Sequence, residues 1–281
     1  MAQVLAISSQ VVRGHVGNSA AAYALSRMGH EVWPLPTIIL SNHPGHPHCF
    51  AQPLSAEVLQ NMIDTLDDNG WLGEIDAVVS GYLPSPQHVT LVADTVARIR
   101  QTKTISYVCD PILGDEPKGL YIDEAAAAAI RDTLIPLADA ITPNLFELSW
   151  LSGSPNGPND DPIEMAARLA TPIVVATSLR APDKGQLANL LYTARSTAGG
   201  AGKTWQIDVP RLTRAPHGTG DLLTALFCGH SLNGQSAPSA FAKAVAGVAG
   251  ALEASENSDE LRLLPSDAAW LDPAPLPMRH G

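Results

Sequence analysis

The chain has 281 residues, of which 45% are hydrophobic and 16% are charged, and its formal net charge at pH 7 is −11. This composition excludes an intrinsically disordered protein, because enough nonpolar surface is present to form a core. The acidic balance also excludes the usual kind of nucleic-acid binder, which carries a basic stripe, so no nucleic-acid partner is expected.

Short apolar runs bounded by turn residues recur from residue 3 to residue 178, and each predicts a buried strand. In chain order they are QVLAIS (3–8), DAVVSGY (76–82), TISYVCD (104–110), DAITP (139–143) and PIVVATS (172–178). Helix-like segments lie between them, at 18–28, 56–67, 86–100, 124–134, 144–151 and 163–169. The alternation predicts an α/β fold, a three-layer αβα sandwich around a mostly parallel sheet.

The pattern changes after residue 178. LANLLYTA (187–194) and TWQIDVPRL (204–212), joined by RSTAGGAGK (195–203), predict a hairpin at an antiparallel edge of the sheet. GTGDLLTALFCGHSL (218–232) and SAPSAFAKAVAGVAGALEAS (236–255) predict two further helices. We expect one domain over residues 1–281, with the proline-rich stretch 265–281 as a loosely ordered tail.

The N-terminal segment MAQVLAISSQVV has neither the basic region of a signal peptide nor an apolar run long enough to span a membrane. Cys49, Cys109 and Cys228 are far apart in sequence and form no CxxC motif. We therefore expect a cytoplasmic protein with no membrane partner.

Two glycine-rich segments are candidate phosphate loops, because bare backbone N–H groups approach phosphate oxygens closely. GGAGKT (199–204) has the final letters of the Walker A motif G-x-x-x-x-G-K-[ST], which must open a helix. Thr197 stands where the first glycine is required, and the alternating WQIDV that follows predicts a strand. We interpret GGAGKT as a hairpin turn.

The segment HGTGD (217–221) directly precedes LLTALF, an apolar run with helical periodicity. The free N–H groups of the first helical turn and the helix dipole favour an anion at Gly218, Thr219 and Gly220. Asp221 falls in that turn, where a carboxylate serves either as a capping residue or as the base for a hydroxyl that attacks phosphorus. Spacing alone leaves both roles open.

The chain resembles the ribokinase-like superfamily of small-molecule kinases, and within it the pyridoxal kinases. The resemblance covers nearly the whole chain. It rests on LAISSQVVRGHVGNSAA (5–21), VWPLPTIILSNH (32–43), VVSGYL (78–83), CDPILGD (109–115), ITPNLFEL (141–148) and GTGD (218–221). Each motif alone is weak, but the ordered set is specific.

The resemblance implies that Asp221 is the general base that deprotonates the substrate alcohol. It also implies that Gly218, Thr219 and Gly220 form the anion hole for the phosphoryl group during transfer. These four residues are the predicted catalytic group, and Asp221 is also expected to contact the substrate.

The resemblance places ATP and Mg²⁺ at the carboxyl ends of the predicted strands, where open α/β sheets bind ligands. Asp110 and Glu147 are the expected metal-side residues, since carboxylate oxygens are hard donors that suit magnesium. Taken singly, Asp110 could end a turn, and Asn144 with Glu147 could cap a helix. The other expected ATP-binding residues are Asn144, Thr177, Val209, Pro210, Arg211 and Leu212, and a monovalent cation is a further candidate cofactor.

On the substrate side, Ser9 and the loop that contains His43, Pro44 and Gly45 match pyridoxal-contacting positions of the family. The sequence departs from the family pattern at two places. Thr177 stands where many close pyridoxal kinases have a lysine near the phosphates, although other superfamily members use threonine or serine. Pro44 and Gly45 replace the polar or bulkier residues expected there, which leaves the preferred vitamer open.

The loop HPGHPHC (43–49) concentrates residue types that bind transition metals, among them His43, His46, His48 and Cys49. Its spacing fits no common zinc signature, and Pro44 and Pro47 restrict the backbone. A mobile flap over the substrate is the favoured interpretation.

These observations predict ATP-dependent phosphorylation of the 5′-hydroxymethyl group of pyridoxal in vitamin B6 salvage, with pyridoxine and pyridoxamine as further candidate substrates. A hydroxymethylpyrimidine kinase of the same fold is the alternative enzyme, because both substrates are flat heteroaromatic rings with a hydroxymethyl group. A vitamer-binding protein without turnover is the third possibility. The resemblance also implies a homodimer, with the strand at 32–40 as a candidate interface.

Overall fold

The computed structural model of the protein describes residues 1–154, 157–194, 202–212, 215–256, 258–264 and 267–281. Within these residues ten strands form one sheet, and two short strands, β6 and β7, form a separate hairpin. The strands are β1 (Gln3–Val11), β2 (Glu31–Leu40), β3 (Ala51–Pro53), β4 (Ala77–Ser80), β5 (Ser106–Cys109), β6 (Gly114–Asp115), β7 (Gly119–Leu120), β8 (Ala140–Ile141), β9 (Ile173–Arg180), β10 (Gln186–Thr193), β11 (Lys203–Pro210) and β12 (Arg279–His280).

The strand order across the sheet is β12-β11-β10-β9-β8-β5-β4-β1-β2-β3. The six strands from β9 to β2 in this order are parallel to their neighbours. Strands β10, β11 and β12 continue the sheet in antiparallel fashion, and β3 adds an antiparallel strand at the opposite edge. The predicted mostly parallel sheet with an antiparallel hairpin is confirmed. The linker predicted at 195–203 lies outside the described residues from 195 to 201.

The helices match the predicted segments closely, and several begin at recognisable capping residues. The Ser55 hydroxyl accepts from the Val58 N–H at the start of the second helix, and Pro86 opens the third. The helices are α1 (Asn18–Arg27), α2 (Ala56–Asp68), α3 (Pro86–Arg100), α4 (Glu124–Ala129), α5 (Ile135–Leu137), α6 (Leu145–Leu151), α7 (Pro162–Arg168), α8 (Thr219–Leu232), α9 (Ala237–Ala254) and α10 (Asp267–Trp270). A π-helical turn, Ile130–Leu134, joins α4 to α5 inside the segment predicted as one helix.

The two faces of the sheet are covered by different helices, and each face has its own apolar core. One core packs the sheet against α2 to α7, and the other packs it against α1, α8, α9 and α10. This arrangement is the predicted three-layer sandwich. No helix of the described residues is both long and apolar enough to cross a membrane.

The C-terminal stretch predicted as a loose tail makes specific contacts with the rest of the protein. Trp270 is fully buried, and its indole N–H donates to the Leu263 carbonyl oxygen at 2.9 Å. Farther on, Arg279 and His280 form β12 and pair with β11. Part of this stretch is therefore integrated into the core and covers one edge of the sheet.

Candidate active site

The segment HGTGD lies at the N-terminus of α8, as the sequence predicted. Gly218 precedes the helix with φ of 96°, in the left-handed region that favours glycine. A Cβ atom on Gly218 would lie 1.9 Å from the His15 carbonyl oxygen, so a side chain is excluded on steric grounds as well. The loop thus packs tightly against the segment after β1 and leaves the first-turn N–H groups of α8 without helical acceptors.

Asp221, in the first turn of α8, is held by backbone donors. Its carboxylate accepts hydrogen bonds from the Gly17 N–H and from its own N–H. Burial raises the pKa of Asp221 to about 6, and the two hydrogen bonds oppose that rise because they favour the charged form. The result is a carboxylate that is ionised at neutral pH and more basic than an ordinary aspartate, which suits a general base.

Asp110 follows β5 and faces the same helix terminus. The Thr224 hydroxyl, one turn beyond Asp221 on α8, donates to Asp110 Oδ2 at 3.1 Å. The Ile112 N–H also donates to this carboxylate, and Ile112 has φ of 41°, an unfavourable value for a β-branched residue that marks local strain. Burial, followed by the charges of Glu147 and Asp221, raises the pKa of Asp110 well above its usual value.

Glu147 is part of a complete capping box at the start of α6. Its Oε2 accepts from the Asn144 N–H at 2.9 Å, and Asn144 Oδ1 accepts from the Glu147 N–H at 3.0 Å. Its Oε1 accepts from the N–H groups of Leu113 and Gly114 at 2.8 and 3.4 Å. Glu147 therefore fastens the DPILGD loop to α6, and burial raises its pKa to about 7.

The donor set at this corner fits a hard divalent cation beside Asp110. The charges of Glu147 and Asp221 both disfavour ionisation of Asp110, and a bound cation would offset that repulsion and favour the ionised carboxylate. Both oxygens of Glu147 already accept backbone hydrogen bonds. Asp110 is thus the better candidate for a direct ligand, and Glu147 suits a role through water.

A cavity of about 980 Å³ opens beside the N-terminus of α8. Its size suits a nucleotide. Thr177, Thr219 and Gly220 line the end near the carboxylates, and Asn189 on β10 is a buried polar residue in the wall. The apolar wall is formed by side chains of β10, β11, α8 and α9, namely Leu187, Val209, Leu223, Val245, Val248 and Leu252.

Among the four residues expected on the β11 side of the nucleotide, Val209, Pro210 and Leu212 line this cavity. Arg211 is exposed and is not among the lining residues, and its N–H donates to the Gly185 carbonyl oxygen. Thr177 pairs with Asn144 in an isolated parallel bridge, and its N–H donates to the Pro143 carbonyl oxygen at 2.9 Å. The strand β9 is thereby tied to the TPNLFE segment at the end of the cavity near the carboxylates.

The predicted substrate side adjoins Asp221 on the other flank. Ser9, near the end of β1, packs against Gly17, whose N–H binds Asp221. His43 stacks on His217 with ring centroids 3.5 Å apart, which brings the 41–49 loop next to the GTGD segment. Burial, then the positive charge of His217, lowers the pKa of His43 to about 4. The Gly45 N–H donates to His43 Nδ1 at 2.9 Å, so the neutral His43 ring carries its proton on Nε2.

The predicted histidine cluster does not converge on one point. His43 stacks on His217, His46 Nε2 lies 3.0 Å from Glu260 Oε1, and His48 is exposed. The Cys49 thiol donates to the Asn42 carbonyl oxygen instead of facing the histidines. The close stacking also accounts for Gly45, because a Cβ there would lie 2.6 Å from His217 Nε2.

The fold agrees with comparisons to known proteins. The family model described as phosphomethylpyrimidine kinase matches residues 36–262. The chain belongs to the phosphomethylpyrimidine kinase family.

Within this family the chain is related to pyridoxal kinases. It is 34% identical to pyridoxal kinase PdxY of Corynebacterium diphtheriae over 265 residues, covering 93% of this chain and 92% of that protein. It is 36% identical over 239 residues to the pyridoxine/pyridoxal/pyridoxamine kinase of Bordetella avium, with 83% and 78% covered. A solved structure of pyridoxal kinase from Leishmania donovani, in complex with ADP and pyridoxine, superposes with a TM-score of 0.91 at 31% identity, covering 99% of each chain.

Some residues of this family member's site were not predicted from its sequence. Thr224 was within reach of sequence reasoning, since it lies three residues after Asp221 and helical spacing places both on one face. His217 and Glu260 were not predictable from the sequence. Their contacts are with His43 and His46, respectively, which are distant in the chain. Ser178, which lines the nucleotide-sized cavity with φ of 56°, has no sequence signal either.

Proposed function

We propose that this protein transfers the γ-phosphoryl group of ATP to the 5′-hydroxymethyl group of pyridoxal, and of the related vitamers pyridoxine and pyridoxamine. The observation that carries the proposal is the position of Asp221. Its carboxylate lies in the first turn of α8, between the nucleotide-sized cavity and the Ser9 and His43 side of the cleft.

In this reaction Asp221 accepts the proton of the vitamer alcohol as its oxygen attacks the γ-phosphorus. The bond between the γ-phosphorus and the bridging oxygen breaks, and ADP leaves with that oxygen. The pKa of about 6 keeps Asp221 ionised at neutral pH, while burial makes it a stronger base than a solvated aspartate. The Gly17 N–H fixes the orientation of the carboxylate toward the substrate side.

The charge on the moving phosphoryl group is stabilised by the N-terminus of α8. Backbone N–H groups at Thr219 and Gly220 lack helical acceptors and are supported by the helix dipole. Asp110, with Glu147 behind it, would hold Mg²⁺, which when bound neutralises charge on the triphosphate. Thr177 contributes a hydroxyl at the phosphate end of the cavity.

On the vitamer side, Ser9 and neutral His43 supply hydrogen-bonding groups for the ring substituents. His43 offers an Nε2–H donor, because its Nδ1 is already occupied by the Gly45 N–H. Pro44 and Gly45 shape the loop around this ring without adding polar contacts of their own.

A hydroxymethylpyrimidine kinase is the second candidate, because the matching family model carries the phosphomethylpyrimidine kinase description. The same base and anion hole would serve either alcohol. The experiment that decides is a coupled assay of ADP formation with pyridoxal, pyridoxine, pyridoxamine and hydroxymethylpyrimidine. We expect kcat/KM for the preferred B6 vitamer to exceed that for the pyrimidine.

The opposite ranking would assign the pyrimidine as the substrate. A third result, with tight vitamer binding by calorimetry and no ADP above background, would identify a binding protein without turnover. Asp221→Asn serves as the control in every arm, because only Asp221-dependent ADP formation counts as turnover.

We also propose a homodimer that forms across the β2–β3 edge of the sheet. Apolar side chains are exposed on and beside this edge, with Phe50 69% exposed and Ile39 40% exposed. We place the enzyme in the cytoplasm, where ATP is available and the free cysteines Cys49, Cys109 and Cys228 stay reduced. Sedimentation of the wild-type protein and of Phe50→Glu tests the dimer, which the variant should weaken.

A further inference from the structure

Glu260 lies at a junction of three chain segments outside the carboxylate cluster of the active site. Its Oε1 accepts from Arg13 Nη1 at 2.8 Å and lies 3.0 Å from His46 Nε2. The residue is only 8% exposed, and its Oε2 is buried without a hydrogen-bond partner among the described residues. A buried carboxylate is costly unless it is paired, so these two contacts hold the junction together.

The first segment at this junction is the 41–49 loop on the substrate side. His46 reaches Glu260, and His43, three residues nearer the start of the loop, stacks on His217. His217 in turn forms an isolated parallel bridge with Glu260. Glu260 therefore contacts the loop directly through His46. It is also linked to the loop indirectly, through His217, which stacks on His43.

The second segment is the strap after β1, residues 12–16. The N–H groups of Val12 and Arg13 donate to the carbonyl oxygens of Leu40 and Ser41, at the base of the same loop. His15 Nδ1 lies 2.8 Å from the Leu261 carbonyl oxygen, next to Glu260. The strap thus joins the base of the loop to the C-terminal segment.

The third segment leads to the nucleotide side. Arg13 Nη2 contacts both oxygens of Asp259 at 3.2 and 3.3 Å. Asp259 and Ser258 line the nucleotide-sized cavity. One guanidinium is therefore shared between Asp259, in the wall of the nucleotide cavity, and Glu260, which holds the substrate loop.

The ligand atoms of His46, Asp259 and Glu260 lie within 4.8 Å of one another, a grouping that a metal ion could also join. The Arg13 guanidinium already pairs with both carboxylates, so a cation would have to displace it or approach it against repulsion. The geometry therefore favours a shared ion pair over a metal centre.

We propose that Glu260 is a positioning residue that couples the two substrate sites. Through His46 it holds the 41–49 loop over the vitamer, and through Arg13 it links that loop to Asp259 beside the nucleotide. A nucleotide that contacts Asp259 orders its side chain and, through the ion pair, the guanidinium of Arg13. Because Arg13 also pairs with Glu260, the contact between Glu260 and His46 is ordered as well. By thermodynamic reciprocity, the bound vitamer then strengthens nucleotide binding by the same factor. The inference rests on the proposed kinase function.

The test measures vitamer affinity by calorimetry with and without a non-hydrolysable ATP analogue and Mg²⁺. For the wild-type protein we expect pyridoxal to bind about tenfold more tightly when the analogue is present, within the range of ordinary site-to-site coupling. Glu260→Gln and His46→Gln should bring this ratio close to one. Each should raise KM for pyridoxal roughly tenfold and leave kcat within about threefold, because Asp221 and the anion hole are untouched.

The control is His48→Gln, on the same loop but with an exposed side chain, which should match the wild-type ratio and KM. The double variant Glu260→Gln/His46→Gln should be no worse than Glu260→Gln alone, because Glu260→Gln already weakens the contact that His46→Gln removes. If Glu260→Gln fails to fold, the binding ratio of His46→Gln alone tests the coupling. His46 lies on a surface loop, so its substitution should leave the fold intact.

Three results would overturn the proposal. The first is a wild-type ratio of one. The second is equal weakening of vitamer binding by the variants with and without nucleotide, which would mean a purely structural support of the loop. The third is loss of the wild-type ratio on treatment, in excess Mg²⁺, with a chelator selective for Zn²⁺ and its recovery with Zn²⁺, which would assign a metal site instead. The wild-type ADP assay stands apart from these ratios, so failure of the kinase function would be recognised separately.

Discussion

Glu147 and Asp221 are both acidic residues in the first turn of a helix beside the same crevice, yet the structure treats them differently. Glu147 accepts hydrogen bonds from three backbone N–H groups, two of them in the neighbouring DPILGD loop. Among the described residues, Asp221 accepts from the backbone N–H groups of Gly17 and of Asp221 itself only. A carboxylate whose oxygens are occupied supports structure, whereas one with free lone pairs beside an anion site is available for proton transfer.

The largest effect expected from this difference is the loss of turnover in Asp221→Asn. We expect kcat to fall about 10³-fold, because the amide keeps the size of the side chain but removes the base. Steady-state ADP formation measures the loss, and circular dichroism verifies the fold. A variant with kcat within tenfold of wild type would exclude Asp221 as the base.

The same substitution should stabilise the protein at neutral pH. The pKa of Asp221 is higher in the folded state than its ordinary value of 3.8, so folding disfavours the ionised form. Its stabilising contribution is present when it is protonated and is lost as the pH rises through about 6. Asp221→Asn should therefore gain on the order of 1 kcal/mol at pH 8 and show a smaller gain at pH 4.

Glu147→Gln should behave in the opposite way to Asp221→Asn. We expect a moderate loss of activity and a clear loss of stability. The new amide group places donors opposite one set of the backbone N–H groups of Leu113, Gly114 or Asn144. An unsatisfied buried donor costs about 1–3 kcal/mol, which thermal or urea unfolding will register. If Glu147→Gln were as stable as wild type but inactive, Glu147 would belong with Asp221 as a directly acting residue.

The pH dependence of kcat/KM separates the two carboxylates further. Asp221 must be ionised to act, so we expect the rate to fall about tenfold per pH unit below an apparent pKa near 6. Glu147, whose pKa is raised to about 7, should contribute little to that limb. The acid limb should persist in Glu147→Gln. A shift of its apparent pKa by a full unit in that variant would show that Asp221 and Glu147 titrate together.

The smallest effect is expected for Asn144→Ala, which removes the other half of the capping box. It deletes the acceptor for the Glu147 N–H and the donor to the Gly114 carbonyl oxygen, at 3.0 and 2.8 Å. A lost helix cap costs about 1 kcal/mol, so we expect a lower unfolding midpoint and only a few-fold loss in kcat/KM. A loss of activity as large as that of Asp221→Asn would mean that Asn144 contacts the phosphates directly.

Much of the fold follows from local pattern. The apolar runs and the helical segments between them predicted β1, β4, β5, β8 and β9 and the helices around them, since strand and helix periods are written into neighbouring residues. The hairpin β10–β11 was recognisable for the same reason. The strand β12 was not recognisable from the sequence. Its pairing with β11 depends on where the edge of the sheet lies in space.

The site divides in the same way. The glycines and the helix after HGTGD predicted the anion site at α8, and the motif order predicted that Asp110, Glu147 and Asp221 share a crevice. Their different electrostatic states were not predictable. The pKa of each carboxyl group depends on burial and on donors such as the Gly17 and Ile112 N–H groups, which no short motif encodes.

The sequence by itself determined the order of strands and helices, because strand and helix patterns depend on residues that are close together in the chain. It also predicted a phosphate loop at the start of α8 and, through the family resemblance, Asp221 as the base. Tertiary structure alone decided that Glu147 supports a loop, that His43 is neutral, and that Arg13 and Glu260 meet across a separation of 247 residues. Hydrogen bonds, burial and charge act through space, so they are settled only when distant segments pack together.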